Sequence, residues 1–196
     1  YPEFFAKVIN SPNWIGIDIE INGIKLDLAK NQFRAFRREL DLKNASLTRS
    51  FIWMGPDGEE IAFSFSRFLS MARKNTACLS VQINAINFDG TINLLPYVNG
   101  DVVNEAANYD EKFWTLVNQE INQEAALLTM ETKKTHFQVD TAMAAQIIME
   151  TQDETEPFQR HCYSTEEFVG FRYTVPLHTG QRFTLQKYIA VCTTRD

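Results

Sequence analysis

Two runs of strict apolar–polar alternation, joined by one tight turn, set the terms for the rest of the chain. Leu47, Phe51 and Trp53 alternate with Thr48, Ser50 and Ile52, and Ile61, Phe63 and Phe65 alternate with Ala62, Ser64 and Ser66. A period of two is that of a strand whose successive side chains point to opposite faces. Gly55-Pro56-Asp57-Gly58 supplies turn chemistry between the runs. Directly opposed residues of an antiparallel pair share a face, so matching the apolar rows fixes the register. The match sets Trp53 opposite Ile61, Phe51 opposite Phe63, Arg49 opposite Phe65 and Leu47 opposite Arg67.

That register puts two guanidinium groups, Arg49 and Arg67, into an otherwise apolar row on neighbouring strands. A buried guanidinium is costly unless carboxylates or carbonyls satisfy its donors. Two readings follow: both side chains snorkel or pair with local acids, or another domain covers this face. Beyond Arg67 the alternation breaks, because Phe68, Leu69 and Met71 cannot all point one way. Both faces near the strand end then need apolar cover. The surface around Arg49, Arg67, Phe68 and Met71 is therefore a candidate interdomain contact.

Other segments repeat the strand pattern. Ile15, Ile17, Ile19 and Ile21 alternate, and Asn22-Gly23 is a strong signal for a type I′ hairpin, with Ile24, Leu26 and Leu28 returning opposite Ile21, Ile19 and Ile17. Phe36, Arg38, Leu40 and Leu42 form a strand with a charged face that is available to pair with Arg49 or Arg67. Further strands are expected over 79–85, 92–98, 113–120, 125–132, 136–149, 169–175 and 183–191, with a loop over 71–76. Pro96 marks an edge or a bulge. Residues 1–12 have helix-compatible apolar spacing, 99–111 form a long polar connection suited to an exposed functional loop, and 151–167 read as an acidic surface excursion. Many short alternating strands with regular turns indicate an all-β sandwich, which 196 residues fill as one domain over 1–196.

Composition narrows the function classes. A net charge of −6 argues against a phosphate-backbone partner. No stretch is long and apolar enough to span a membrane as a helix, and no signal peptide is visible. Cys78, Cys162 and Cys192 have no ligand-like spacing; Cys78 and Cys192 read as small core residues, and a reducing, cytoplasmic setting fits. Asp101, Asn104, Glu105, Asp110 and Glu111 lack the spacing of a calcium loop. His136, His161 and His178 are the near-neutral acid–base groups, and His161 near Glu166 and Glu167 is the one pair suited to a mutarotase-like proton transfer. It sits in a polar stretch rather than at a sheet centre. Glu59 and Glu60 are too close in sequence to flank a sugar ring as an acid–base pair. Neither a catalytic constellation nor a cofactor or metal site emerges.

Several blocks carry a family resemblance. Ser66-Arg67-Phe68-Leu69-Ser70-Met71-Ala72 resembles the Arg-Phe-x-Ser-Met-Ala signature of the N-terminal domain of glycoside hydrolase family 65. Ser11-Pro12-Asn13-Trp14, Arg37 to Asp41 with Leu47-Thr48-Arg49, Gly100 to Asn104 and Thr193 to Asp196 match further family blocks in order along the whole chain. The resemblance implies a large two-sheet antiparallel super-β-sandwich of galactose mutarotase-like type. It also implies a parent enzyme whose (α/α)6 barrel carries the catalytic acid and the phosphate site. That parent would invert α-glucosides such as maltose, trehalose or kojibiose, with inorganic phosphate as co-substrate if it is a phosphorylase. The partner of this chain would be its own barrel, with a homodimer open through the parent, and the chain itself would be a non-catalytic N-terminal fragment that starts at Tyr1 and ends where a linker begins.

Three classes stay open: a scaffold domain docked on a catalytic barrel, a free-standing carbohydrate-binding module, and a small mutarotase-like enzyme. A binding module needs an aromatic platform, for which Trp14, Tyr97 and Trp114 are the sugar-contact candidates. Trp53 reads as core.

Overall fold

The computed structural model describes residues 8–104, 112–150 and 157–196. The register expected from the alternating rows is the register observed. β4 (Ser46–Met54) pairs antiparallel with β5 (Glu60–Leu69), setting Trp53 against Ile61, Phe51 against Phe63, Arg49 against Phe65 and Leu47 against Arg67. The same inward row continues into β6 (Thr76–Ala85) through Ala85, Ile83, Val81 and Leu79. It then passes into β13 (Arg182–Thr193) through Phe183, Leu185 and Lys187.

Among the described residues thirteen strands form two antiparallel sheets. The larger runs β3 (Gln32–Asp41), β4, β5, β6, β13, β10 (Gln138–Met149), β9 (Ala126–Thr132), β8 (Trp114–Ile121). The smaller runs β11 (Gln159–Thr165), β12 (Phe168–Leu177), β7 (Gly90–Asn99), β1 (Ile17–Ile21), β2 (Ile24–Lys25). Their inner faces share one apolar core, with Ile21, Ile92, Leu94, Phe171 and Val175 from the smaller sheet and Phe63, Ile83, Leu128, Phe183 and Leu185 from the larger, all buried. Tyr173 crosses the core, its hydroxyl donating to the Ala145 carbonyl at 2.7 Å. No described helix is long and apolar enough to cross a membrane.

Lys187 is the exception in this core. It occupies an inward position of β13 and is fully buried, yet all three protons of its ammonium have an acceptor. Nζ donates to the carbonyls of Trp14 at 2.6 Å, Gly16 at 2.8 Å and Tyr97 at 2.7 Å. The lysine comes from the larger sheet and the carbonyls from the smaller sheet and the segment entering it, so one side chain ties the layers. At Gly16 a Cβ would fall 2.1 Å from the Tyr97 ring, so any larger residue there would have to displace that ring.

Several expectations are corrected. The Asn22-Gly23 turn has both residues at positive φ, 44° and 85°, as a type I′ turn requires. The returning strand, however, is only two residues long: Leu26 still donates to the Ile19 carbonyl, after which the chain turns and Leu28 leaves the ladder. Pro96 lies in β7, the central strand of the smaller sheet, neither at an edge nor in a bulge. The ladder to β12 keeps one register, Gly170 to Tyr97 and Tyr173 to Leu94, and lacks pairs only around the proline, which has no N–H to give. The excursion expected over 151–167 contains the edge strand β11, whose exposed residues hid its alternation; 151–156 lie outside the described residues. Cys192 is exposed on β13 rather than in the core. Of the helix expected over 1–12, residues 1–7 lie outside the described residues and 8–12 are not helical.

Burial pulls the Lys187 pKa from 10.5 down to about 7, a pull that the three carbonyls oppose by favouring the ammonium. Replacing it by an apolar side chain strands those carbonyls. Lys187→Met should lower unfolding free energy by about 2–4 kcal/mol in urea titrations. The folded pKa lies below the unfolded one, so from about pH 7 to 10.5 the unfolded chain holds the extra proton and wild-type stability rises with pH through that window. The deficit of the methionine variant should therefore be larger at pH 9 than at pH 6.

Candidate functional site

The larger sheet outruns the smaller one, and its β3–β5 end extends past the short β2 edge. β3 is exposed along almost its whole length. Its path is bent by a bulge: Arg34 pairs with Ile52 and Arg37 with Ser50, so Ala35 and Phe36 together stand opposite Phe51, with Ala35 at φ 54°. The extra residue resets the phase. Arg38 then faces inward opposite Arg49, and Leu40 opposite Leu47, while Arg37 turns out to pair with Glu39.

Beneath this overhang lies a cavity of about 650 Å³. Leu28, Phe33, Phe36, Phe65 and Val81 give it apolar walls, and Arg38, Arg49 and Arg67 bring three guanidinium groups into it, with no carboxylate in the lining among the described residues. Arg49 Cζ sits 4.4 Å from the Phe65 ring centroid and 5.7 Å from that of Phe51, within cation–π range of both. Its Nε is buried and makes no hydrogen bond among the described residues. Burial first, and then the like charges of Arg38 and Arg67, push its pKa below the usual guanidinium value. The expected pairing of β3 charges with Arg49 is thus corrected: the ladder sets Arg38, not an acid, against it.

The candidate contact residues divide between two faces. Arg49 and Arg67 meet in the cavity, and Arg38 joins them. Phe68 points to the opposite face of β5, 46% exposed, and Met71 lies beyond the strand end, 88% exposed. On and just past β3, Phe36, Leu40 and Leu42 are also exposed, Leu42 to 83%. The alternation Phe36, Arg38, Leu40, Leu42 already carried the signal for Arg38. Lys187 was likewise marked by its phase, two residues from Leu185 and two from Ile189.

The aromatic candidates are engaged elsewhere. Trp114 is buried on β8 and donates from Nε1 to the Asn10 carbonyl at 2.7 Å. Trp14 and Tyr97 meet at Lys187 through their carbonyls, and the Tyr97 ring packs on Phe168 at 4.8 Å. No histidine lines the cavity: His136 contacts Glu131, His178 contacts Asp89, and His161 is exposed on β11 opposite Arg172. Glu60 is held by Arg34 through two hydrogen bonds. In the 99–111 connection Asp101 pairs with Lys112 and Asn104 bonds the entering segment at Val8 and Asn10, while 105–111 lie outside the described residues. Among the described residues no group of His, Cys, Asp and Glu is arranged to hold a metal ion.

A half-buried guanidinium with an unbonded nitrogen and two like charges beside it gives little net stability. Arg49→Met keeps the stem over Phe65, so thermal unfolding of this 196-residue chain should show stability unchanged or raised by about 1 kcal/mol.

Comparison with known proteins gives a consistent picture. The family model described as glycosyl hydrolase family 65, N-terminal domain, matches residues 1–196. Maltose phosphorylase of Bacillus subtilis (strain 168) is 33% identical over 199 aligned residues, covering 100% of this chain and 25% of the relative. Alpha,alpha-trehalose phosphorylase of Thermoanaerobacter brockii is 23% identical over 100% of this chain and 27% of its own length. A solved chain described as a candidate kojibiose phosphorylase from human microbiome superposes with a TM-score of 0.80 at 22% identity, over 95% of this chain and 23% of that one. The chain thus spans about a quarter of the length of these relatives.

Proposed function

The chain belongs to the N-terminal domain family of glycosyl hydrolase family 65, and we propose that it is a non-catalytic sandwich that docks on and supports the catalytic barrel of a larger enzyme. The observation that carries this reading is the open end of the larger sheet, an apolar cavity with three arginines and the exposed Phe33 and Phe36 in its lining, while Phe68 on the other face of β5 and Met71 past its end are exposed as well. Large exposed apolar side chains near one end of a domain mark a contact surface. Burying Phe68 or Met71 in such a contact would contribute on the order of 1.5–3 kcal/mol each. Among the described residues the cavity lining offers no imidazole or carboxylate to move a proton, which favours a supporting role over a chemical one. The parent would act on α-glucosides such as maltose, trehalose or kojibiose, by phosphorolysis with inorganic phosphate or by hydrolysis.

The test is an assay of the purified 196-residue chain with each disaccharide, with and without phosphate. No release of glucose or glucose 1-phosphate above buffer is expected. Turnover that is abolished by mutating a residue of this chain overturns the reading.

A further inference from the structure

We infer that the cavity receives a carboxylate, carried by an otherwise apolar segment of the rest of the enzyme. This rests on the docking reading above and names its chemistry. One cross-strand row of the larger sheet runs Leu47, Arg67, Leu79, Lys187, so Arg67 and Lys187 face the same interior two strands apart. The ammonium of Lys187 is met by three carbonyls of its own chain. The guanidinium groups one end along that face are not: no carboxylate lines the cavity, and Arg49 Nε is buried without a partner among the described residues.

The chain is not short of acids, with 25 Asp and Glu against 19 Lys and Arg. The described acids near the cavity have other cations: Glu39 pairs with Arg37, Glu60 with Arg34, and Asp18 and Asp27, which line the adjoining pocket with Arg49, pair with Lys25 and Lys30. Three like charges held together on apolar walls form a site whose complement is an anion from outside. A guanidinium presents a planar fork that matches a carboxylate through two parallel hydrogen bonds, and the Phe65 ring lies 4.4 Å from the Arg49 guanidinium carbon. The walls of Leu28, Phe33, Phe36 and Val81 call for an aliphatic or aromatic body beside that charge, which a bare phosphate ion lacks. The complement is a Glu or Asp next to a large apolar residue.

Hydroxyl-radical footprinting of the full-length enzyme tests this, with labelling read at the cavity residues Phe33 and Phe36 against the exposed Tyr188 and the buried Phe63 and Phe183. Wild-type protein should label these two at least tenfold more slowly than Tyr188. Arg49→Met and Arg67→Met, which keep apolar stems, should each raise labelling at Phe33 and Phe36 about tenfold, as should 1 M sodium chloride acting on wild type, while Phe63 and Phe183 stay protected and report an intact fold. Protection that persists in both variants and in salt overturns the carboxylate and leaves docking standing. Labelling of wild type at the rate of Tyr188 overturns docking itself. Protection that appears only as protein concentration rises assigns the face to a second copy of the chain and also overturns the inference.

Discussion

The ammonium of Lys187 is the fixed point of this sandwich. A charge with no exposed surface is tolerated only when its donors are satisfied, and here three carbonyls stand within 2.8 Å. Two come from Trp14 and Gly16, just ahead of β1, and one from Tyr97 on β7, so the cation reads the distance between the layers. Neighbouring choices conform to it. Gly16 leaves room for the Tyr97 ring, Ala145 is the small residue beside Lys187 on β10, and the Ala145 carbonyl in turn accepts from Tyr173 of the other sheet. Hydrophobic burial brings the sheets together without preference for position. Directional hydrogen bonds across the gap set which residues face each other.

An eight-stranded sheet against a five-stranded one leaves part of the wider sheet without cover. β10 packs under β7 and β9 and β8 under β12, whereas β3 is exposed along almost its whole length. The bulge at Ala35 and Phe36 then decides what that open end displays. One extra residue exchanges the faces of every residue that follows, turning Arg38 and Leu40 inward and Arg37 out to Glu39. The inner face thus carries cations at two levels of satisfaction, one closed by its own backbone and three left open.

Sequence alone determined the fold class, the pairing of β4 with β5 and the Asn22-Gly23 hairpin. Each follows from a period-two apolar row and a local turn, and the side-chain period allows no slip once one face is buried. It also determined that Arg49 and Arg67 share an apolar row, since that follows from register. Tertiary structure decided the rest, because it depends on contacts between residues far apart in the chain. Strand β11 is an edge whose mostly exposed residues leave no apolar alternation to read. Pro96 is central because β1 makes the pairs at that point and the β12 ladder resumes on either side of it. Phe33 and Phe36 stay exposed and Arg38 joins the cavity because the smaller sheet ends where it does, a limit no local pattern encodes. Lys187 carried a legible oddity, a lysine in phase with Phe183, Leu185 and Ile189. What makes that position a strut is the arrival of carbonyls from residues 14, 16 and 97, and only the packed fold brings those to it.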